Sequence, residues 1–178
     1  MNGARALRLA IAVAVLAATG LLAASALATS RSERNLQALN RQVLASVNRF
    51  RAAHGLVRLR ESSALDRSAR QHSLEMSRLG YFGHSSANGA AFWRRIQHYY
   101  RSRNYSYWSV GENLLWAAPT VSAGGAMQLW IASPEHLANL LSPRWRQIGV
   151  SAVRVVRALG IFHGQRVTII TTDFGVRR

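Results

Sequence analysis

The chain has 178 residues, 49% of them apolar, and a formal net charge of +16; it is long enough for one ordinary domain with a real core and too apolar for global disorder. All 23 basic residues are arginine, set against 7 acidic ones; they are scattered and no groove-reading motif accompanies them, which excludes specific nucleic-acid binding while favouring adsorption to polyanions such as anionic lipid or cell-wall polymer. The absence of cysteine removes disulfides, zinc thiolates and a cysteine nucleophile together.

Residues 1–28 have the pattern of a secretory signal. Arg5 and Arg8 form a positive start, Leu9 to Leu22 is almost wholly apolar, and Ala26-Leu27-Ala28 fits a small-x-small cleavage site. The same stretch, Leu9 to Ala28, is about 20 residues and also meets the length of a membrane anchor. Under either reading the protein is secreted or otherwise extracytoplasmic, and contact with a membrane comes only through an uncleaved N-terminal segment. Residues 29–35 form a short polar lead-in, and 36–178 the domain.

Leu36, Leu39, Val43, Leu44, Val47 and Phe50 recur at steps of three and four, which predicts a helix stopped by Gly55. Leu56 to Arg60 reads as short and extended. Ser62-Ser63 opens a second helix, with Asp66 placed to favour its dipole, Leu65, Ala69, His72 and Met76 on its inner face, and Gly80 at its end. His72 is explained by that apolar stripe and reads as a packed histidine. Tyr81 to Ala91 is a Gly-, Ser- and Asn-rich loop, a frequent place for binding residues. A short aromatic helix over Ala91 to Tyr100 follows, and then the irregular segment Arg101 to Ser109.

Gly111-Glu112-Asn113-Leu114-Leu115-Trp116 puts one carboxylate inside an apolar run. Burying it is costly unless it meets a cation, a metal or hydrogen-bond donors. Thr120 to Ala132 reads as a helix anchored by Trp130. Ser133 before Pro134 is an N-cap with proline at the first helical position, predicting a helix from Pro134 to about Leu141. The β-branched segments Gln147 to Val156 and Val167 to Phe174, separated by a stretch with Gly160 and Gly164, read as an antiparallel hairpin.

His84, Glu112 and His136 are the residues that can converge on one cleft. Neutral imidazoles would serve as metal ligands, whereas a protonated one would pair with the carboxylate. Two histidines and one carboxylate match a zinc set with an open position; the alternative is a hydrogen-bonded network that orders three loops. Glu135, beside His136, is explained by dipole stabilisation, and its side chain diverges from that of His136 by about 100° along a helix. Asn113 follows Glu112 and is counted with the cleft. Ser85 and Ser86 lack a nucleophile-elbow context and read as turn residues. His54, His98 and His163 fall at a helix end, on an exposed helix face and in the hairpin turn.

Together these stretches resemble the CAP superfamily (cysteine-rich secretory proteins, antigen 5 and pathogenesis-related 1), in its bacterial secreted branch. The likeness covers about Leu36 to Phe174 and its motifs arrive in family order: Val47-Asn48-Arg49-Phe50-Arg51 with His54-Gly55-Leu56; Leu65-Asp66-Arg67; Phe82-Gly83-His84-Ser85; Gly111-Glu112-Asn113-Leu114; Trp130 with Ser133-Pro134-Glu135-His136-Leu137-Ala138-Asn139-Leu140-Leu141; and Ile148-Gly149-Val150 with Asp173-Phe174-Gly175. The resemblance implies an α+β fold, a CAP-like α-β-α sandwich with a small antiparallel sheet between helical layers. It also implies a surface cleft at His84, Glu112 and His136 that holds a divalent metal, zinc or magnesium, in some members. The chain departs from the family in two places. No acid accompanies Trp130 on its helix, where eukaryotic members bring a second glutamate, and Glu135, counted with the cleft as the acid that would restore the missing carboxylate, stands where bacterial members commonly have glycine.

Two functions follow from the resemblance. One is a secreted, non-catalytic binding domain for a lipid, a cell-envelope component or a partner protein; Trp93, Tyr99, Tyr100, Tyr105, Tyr107 and Trp108 would either form an aromatic wall beside the cleft or, equally, cover the core. The other is a metal-dependent hydrolase, a peptidase or esterase, in which a cation on the histidines activates water.

Overall fold

The computed structural model describes residues 31–178, so the expected signal or anchor lies outside the described residues. Leu36–Arg178 forms one compact unit. The first helix, α1, covers 31–53 among the described residues, so the polar lead-in expected over 29–35 is helical from Arg31. Leu39, Val43 and Val47 are buried along one stripe, as their spacing dictates; each such side chain contributes about 1.5–3 kcal/mol relative to exposure. Gly55, at φ +69°, ends the turn that follows. At that end the buried Arg51 donates from Nε to the Val57 carbonyl (3.1 Å) and from Nη1 to the carbonyls of Leu140 (2.8 Å) and Ser142 (2.9 Å). One side chain thereby ties the end of α1 to a segment far along the chain.

The remaining elements are β1 (Arg60–Glu61), α2 (Ser63–Leu79), α3 (Phe92–Tyr99), β2 (Trp108–Ala117), α4 (Ala123–Ile131), α5 (Pro134–Leu141), β3 (Gln147–Val155), a 3-10 turn (Gly160–Phe162) and β4 (Val167–Arg177). The strands form one sheet in the order β1-β3-β4-β2. β2, β4 and β3 are antiparallel neighbours. The two-residue β1 adds a parallel edge, so the sheet is mixed where a wholly antiparallel one was expected. The expected hairpin is present, with β4 running on to Arg177 because Trp108 to Val110 supplies ladder partners beyond Phe174. The apolar run around Glu112, which carries no helical period, lies in β2 at the sheet's other edge.

Alternation along the strands sorts the core into layers. Leu115 of β2, Ile148, Val150 and Ala152 of β3, and Ile170, Phe174 and Val176 of β4 pack with α1, α4 and α5. Leu114 of β2 and Val167 and Ile169 of β4 pack with Met76 of α2 on the opposite face, where Leu65, Ile96 and Tyr100 also meet. The result is an α-β-α sandwich. One local expectation fails in an informative way. Ser62 is the N-cap of α2, but its side chain makes no cap bond. Asp66 does not simply serve the helix dipole either: its Oδ1 accepts the Val150 N–H (2.9 Å), and burial raises its pKa to about 6.

Candidate functional site

β2 is the floor of the site, and its alternation assigns the side chains. Glu112 points to the α2–α3 layer and Asn113 to the α1–α4–α5 layer. Glu112 is buried, and its cost of burial is met twice. Oε1 accepts from Nδ1 of His84 at 2.8 Å, and Oε2 pairs with Nη2 of Arg95. Arg95 lies on the inner face of α3 and is itself buried. Its other nitrogen, Nη1, donates to the His84 carbonyl and to Ser86 Oγ, both at 3.3 Å. Arg95 therefore fixes the carboxylate and the loop that carries His84 at once. The His84 side chain is half exposed. Since Nδ1 is engaged with the carboxylate, Nε2 is its free edge.

A second acid stands beside Glu112. Asp173 is its cross-strand partner in β4 and is fully buried. Neither of its oxygens nor the neighbouring Ser68 hydroxyl makes a hydrogen bond of ordinary geometry, although Ser68 and Glu112 both stand close enough to act on the Asp173 carboxyl. Burial first, and then the charge of Glu112, push the Asp173 carboxyl well above its ordinary range and favour its neutral, protonated form. His72 completes the layer. Its Nε2–H donates to the Gly83 carbonyl (2.8 Å), and burial lowers its pKa, so it is the packed neutral histidine that its helical stripe suggested.

The opposite layer positions His136. Asn113 Nδ2 donates to the His136 carbonyl (3.0 Å), while Asn113 Oδ1 accepts from Asn139 Nδ2 (2.8 Å). Asn139 Nδ2 also reaches the Glu112 carbonyl (3.1 Å), and Trp130 Nε1 donates to the Leu114 carbonyl (3.1 Å). These bonds stitch α4 and α5 to the edge of β2. Gly111 makes the approach possible: a Cβ there would stand 2.8 Å from the Trp145 ring and 2.9 Å from Asn139 Oδ1. Burial, then the neighbouring His84, lowers the His136 pKa, while Glu135 acts in the opposite sense. Glu135 itself is exposed in the first turn of α5 and takes no part in the contacts of Glu112.

Between the two layers lies a groove of about 260 Å³. Leu114, Leu115 and Trp116 floor it, Phe82 forms one wall and Leu129 and Trp130 the other, and His136 stands at its rim. A larger cavity, about 350 Å³, lies between α1, α2 and β3; it touches neither histidine of the cleft, so size alone does not make it the site. Of the two roles open to the aromatics from Trp93 to Trp108, the wall is not at the groove, whose lining contains none of them. Tyr100 is buried in the core and donates to Gln147 (2.6 Å). The Arg177 guanidinium covers the rings of Tyr100 and Tyr105, and that of Arg178 covers Tyr107. These aromatics clasp the C-terminal strand; Phe82, Trp116 and Trp130 line the groove.

The residues present do not fit a divalent metal. Both oxygens of Glu112 are occupied, one by a buried guanidinium that opposes a second cation. Among the described residues, no group of three or more His, Cys, Asp and Glu side chains has the geometry to hold an ion. Sequence reasoning missed Arg95 and the role of Asp173. A signal for the first was present: Phe92, Arg95 and Ile96 share one helical stripe, on which Arg95 is the only charge.

Three layers around a small sheet, with a histidine paired to an edge-strand glutamate, define the α-β-α sandwich class. The family model "CAP: Cysteine-rich secretory protein family" matches residues 44–157, and the chain belongs to this family. It is 29% identical over 125 residues to the uncharacterized protein YkwD of Bacillus subtilis (strain 168), an alignment covering 70% of this chain and 46% of that protein. Its fold is similar to an extracellular protein containing an SCP domain from Bacillus anthracis str. Ames (TM-score 0.61, 23% identity, 80% of this chain and 41% of that one). It is also similar to an outer surface protein from Borrelia burgdorferi (TM-score 0.60, 18% identity, 76% and 90%). The chain thus spans under half the length of two of these relatives.

Proposed function

We propose that this CAP-family chain is an extracytoplasmic binding protein for an amphipathic ligand of the cell envelope, such as a lipid. The apolar part enters the groove on β2, and the polar part meets His84 and His136. The carrying observation is the groove itself: an apolar floor and walls that end at a histidine. Its volume is just below the roughly 300–1,000 Å³ usual for sites that enclose a whole small molecule. That size suits a single acyl chain or one apolar side chain, with the remainder of the ligand outside. The signal-like N-terminus, and the relatives described as extracellular or outer-surface proteins, support a location outside the cytoplasm.

The alternative, a metal-dependent hydrolase in the same cleft, requires Glu112 to serve as ligand or base. Its two oxygens are held by His84 and Arg95, and its neighbour Asp173 favours the protonated form, so the geometry favours binding. The experiment is mass spectrometry of small molecules co-purified with residues 29–178 from an envelope-containing host. Every core cluster of the structure lies within Leu36–Arg178, so this part keeps the buried contacts of the fold. An apolar-chain ligand present with the wild type and depleted in Leu129→Arg is the expected outcome. Its absence from both, or peptide or ester hydrolysis lost on chelation, sinks the reading.

A further inference from the structure

The turn that joins β3 to β4 has a construction that ligand binding in the groove does not use. It is held rigidly from inside. Ala158 and Phe162 are fully buried with Met76, Val167 and Ile169, and Phe162 packs edge-on against Trp116 at 5.3 Å. Backbone bonds close the loop on itself: Ala158 N–H to the Gln165 carbonyl (3.0 Å), Gly164 N–H to the Ala158 carbonyl (2.8 Å) and Gln165 N–H to the Phe162 carbonyl (3.0 Å). The loop is also fastened to the end of α2, where Ile161 N–H donates to the Gly80 carbonyl (3.0 Å). Gly80 and Gly160 meet there with positive φ and with no space for a Cβ on either.

With Ala158 and Phe162 turned inward, the residues between and beside them face out. Leu159 is 65% exposed, Val156 65%, Ile161 44%, and Leu79, next to Gly80, 62%. Four large apolar side chains thus project from one rigid tip. A flexible loop would collapse to hide them; this one cannot without breaking its own bonds. Arginines ring the tip. Arg154, Arg157 and Arg166 belong to the hairpin and Arg78 to the last turn of α2, and all four are exposed. Among the described residues none of them makes an ion pair. No acid occurs between Glu135 and Asp173 in the sequence. The acid on the adjoining turn of α2, Glu75, is occupied by the Tyr81 hydroxyl (2.6 Å).

We propose that this tip is a membrane-docking surface: Leu159, Ile161, Val156 and Leu79 enter the interfacial region of an anionic bilayer while the four arginines engage lipid phosphates. Apolar side chains buried at the headgroup boundary and cations at its surface are the two contributions that hold peripheral proteins on lipid, and neither suffices alone for stable attachment. A purely polyanionic partner would use the arginines and leave the apolar tip without a purpose. A protein partner would have to match four aliphatic side chains and four unpaired cations at once. The surface is separate from the N-terminal segment, and its docking stands whether or not the groove binds lipid.

The test is flotation of residues 29–178 with vesicles of phosphatidylcholine alone and of phosphatidylcholine with phosphatidylglycerol, at physiological ionic strength. Binding to the anionic vesicles is expected, with a loss of roughly tenfold or more in Leu159→Ser/Ile161→Ser and in Arg154→Gln/Arg157→Gln/Arg166→Gln. Since the chain has no cysteine, Ile161→Cys carrying an environment-sensitive fluorophore supplies an independent readout that does not depend on the stability of the other variants. Its emission should shift to the blue on anionic vesicles. Equal binding of wild type and the apolar variant, with no shift, would mean adsorption by net charge only and would overturn the proposal. Self-association abolished by Leu159→Ser/Ile161→Ser, without vesicle binding, would overturn it in favour of a second copy as occupant.

Discussion

Arg95 and Glu112 form a buried ion pair between α3 and β2, and the cleft is assembled around it. The same guanidinium holds the His84 loop, and the same carboxylate orients the His84 ring. A buried pair adds little net stability compared with well-packed apolar residues, but breaking it by removing one partner leaves an uncompensated charge. Arg95→Met should therefore cost about 3–5 kcal/mol, while Arg95→Met/Glu112→Leu should recover much of that loss. Urea denaturation of the two variants beside the wild type measures it. Similar losses in the single and double variants would contradict the pairing.

Asp173 gives a pH dependence with a definite sign. Its folded-state pKa lies above the ordinary value of 3.8. The stability it provides is complete below that value and is lost as pH rises through the folded pKa, because the unfolded chain releases the proton first. Asp173→Asn removes this titration. The stability difference between the variant and the wild type should grow in the variant's favour as pH rises from about 4 upward. Denaturation midpoints across that range decide the matter; parallel curves would mean that Asp173 is not held neutral. His72, whose folded pKa is lowered by burial, acts in the opposite direction and removes stability below about pH 6.5 in both proteins.

His136 should titrate below the ordinary imidazole value of 6.5, for reasons of burial and the nearby His84. Glu135 opposes that shift across the first turn of α5. Glu135→Gln should therefore lower the His136 pKa further, as read by nuclear magnetic resonance titration of the imidazole signals. An upward movement would place the two side chains differently from the structure.

Asn113 and Asn139 attach α5 to the edge strand. Asn113→Ala removes the Asn113 donor from the His136 carbonyl and one of the two acceptors of the Asn139 amide, which keeps the Glu112 carbonyl, and should cost about 1–3 kcal/mol. Amide hydrogen exchange should quicken in α5 more than in α2, which lies on the other face of the sheet from the Asn113 side chain. A uniform change over the whole chain would indicate general destabilisation and no specific stitch.

Much of the fold was legible because its signals are local. The stripe from Leu39 to Val47, the stop at Gly80 and the Ser133-Pro134 start of α5 each depend on neighbours within a turn or two. His84 and Glu112 were legible as a pair only through the order of motifs, and they do form a hydrogen bond. Arg95 was hidden among Trp93, Arg94 and Ile96, where a composition rich in arginine and aromatics conceals what only the helical stripe separates. Asp173 was hidden for a different reason. Alternation shows that Thr171, Asp173 and Gly175 share a face of β4, but the register that sets Asp173 against Glu112 is a long-range property of the sheet. Composition could not separate the two roles open to the aromatics from Trp93 to Trp108: Tyr100, Tyr105 and Tyr107 stack with Arg177 and Arg178 at the C-terminal end, whereas the groove takes its aromatics from three separate segments.

The most direct measurement of the central claim is titration of a fluorescent long-chain fatty acid into residues 29–178, with and without a chelator. The expected result is saturable binding at one site, unchanged by the chelator and weakened roughly tenfold or more by Leu129→Arg, whose charge enters the apolar groove. No saturable binding, or binding abolished by removal of metal, would contradict it.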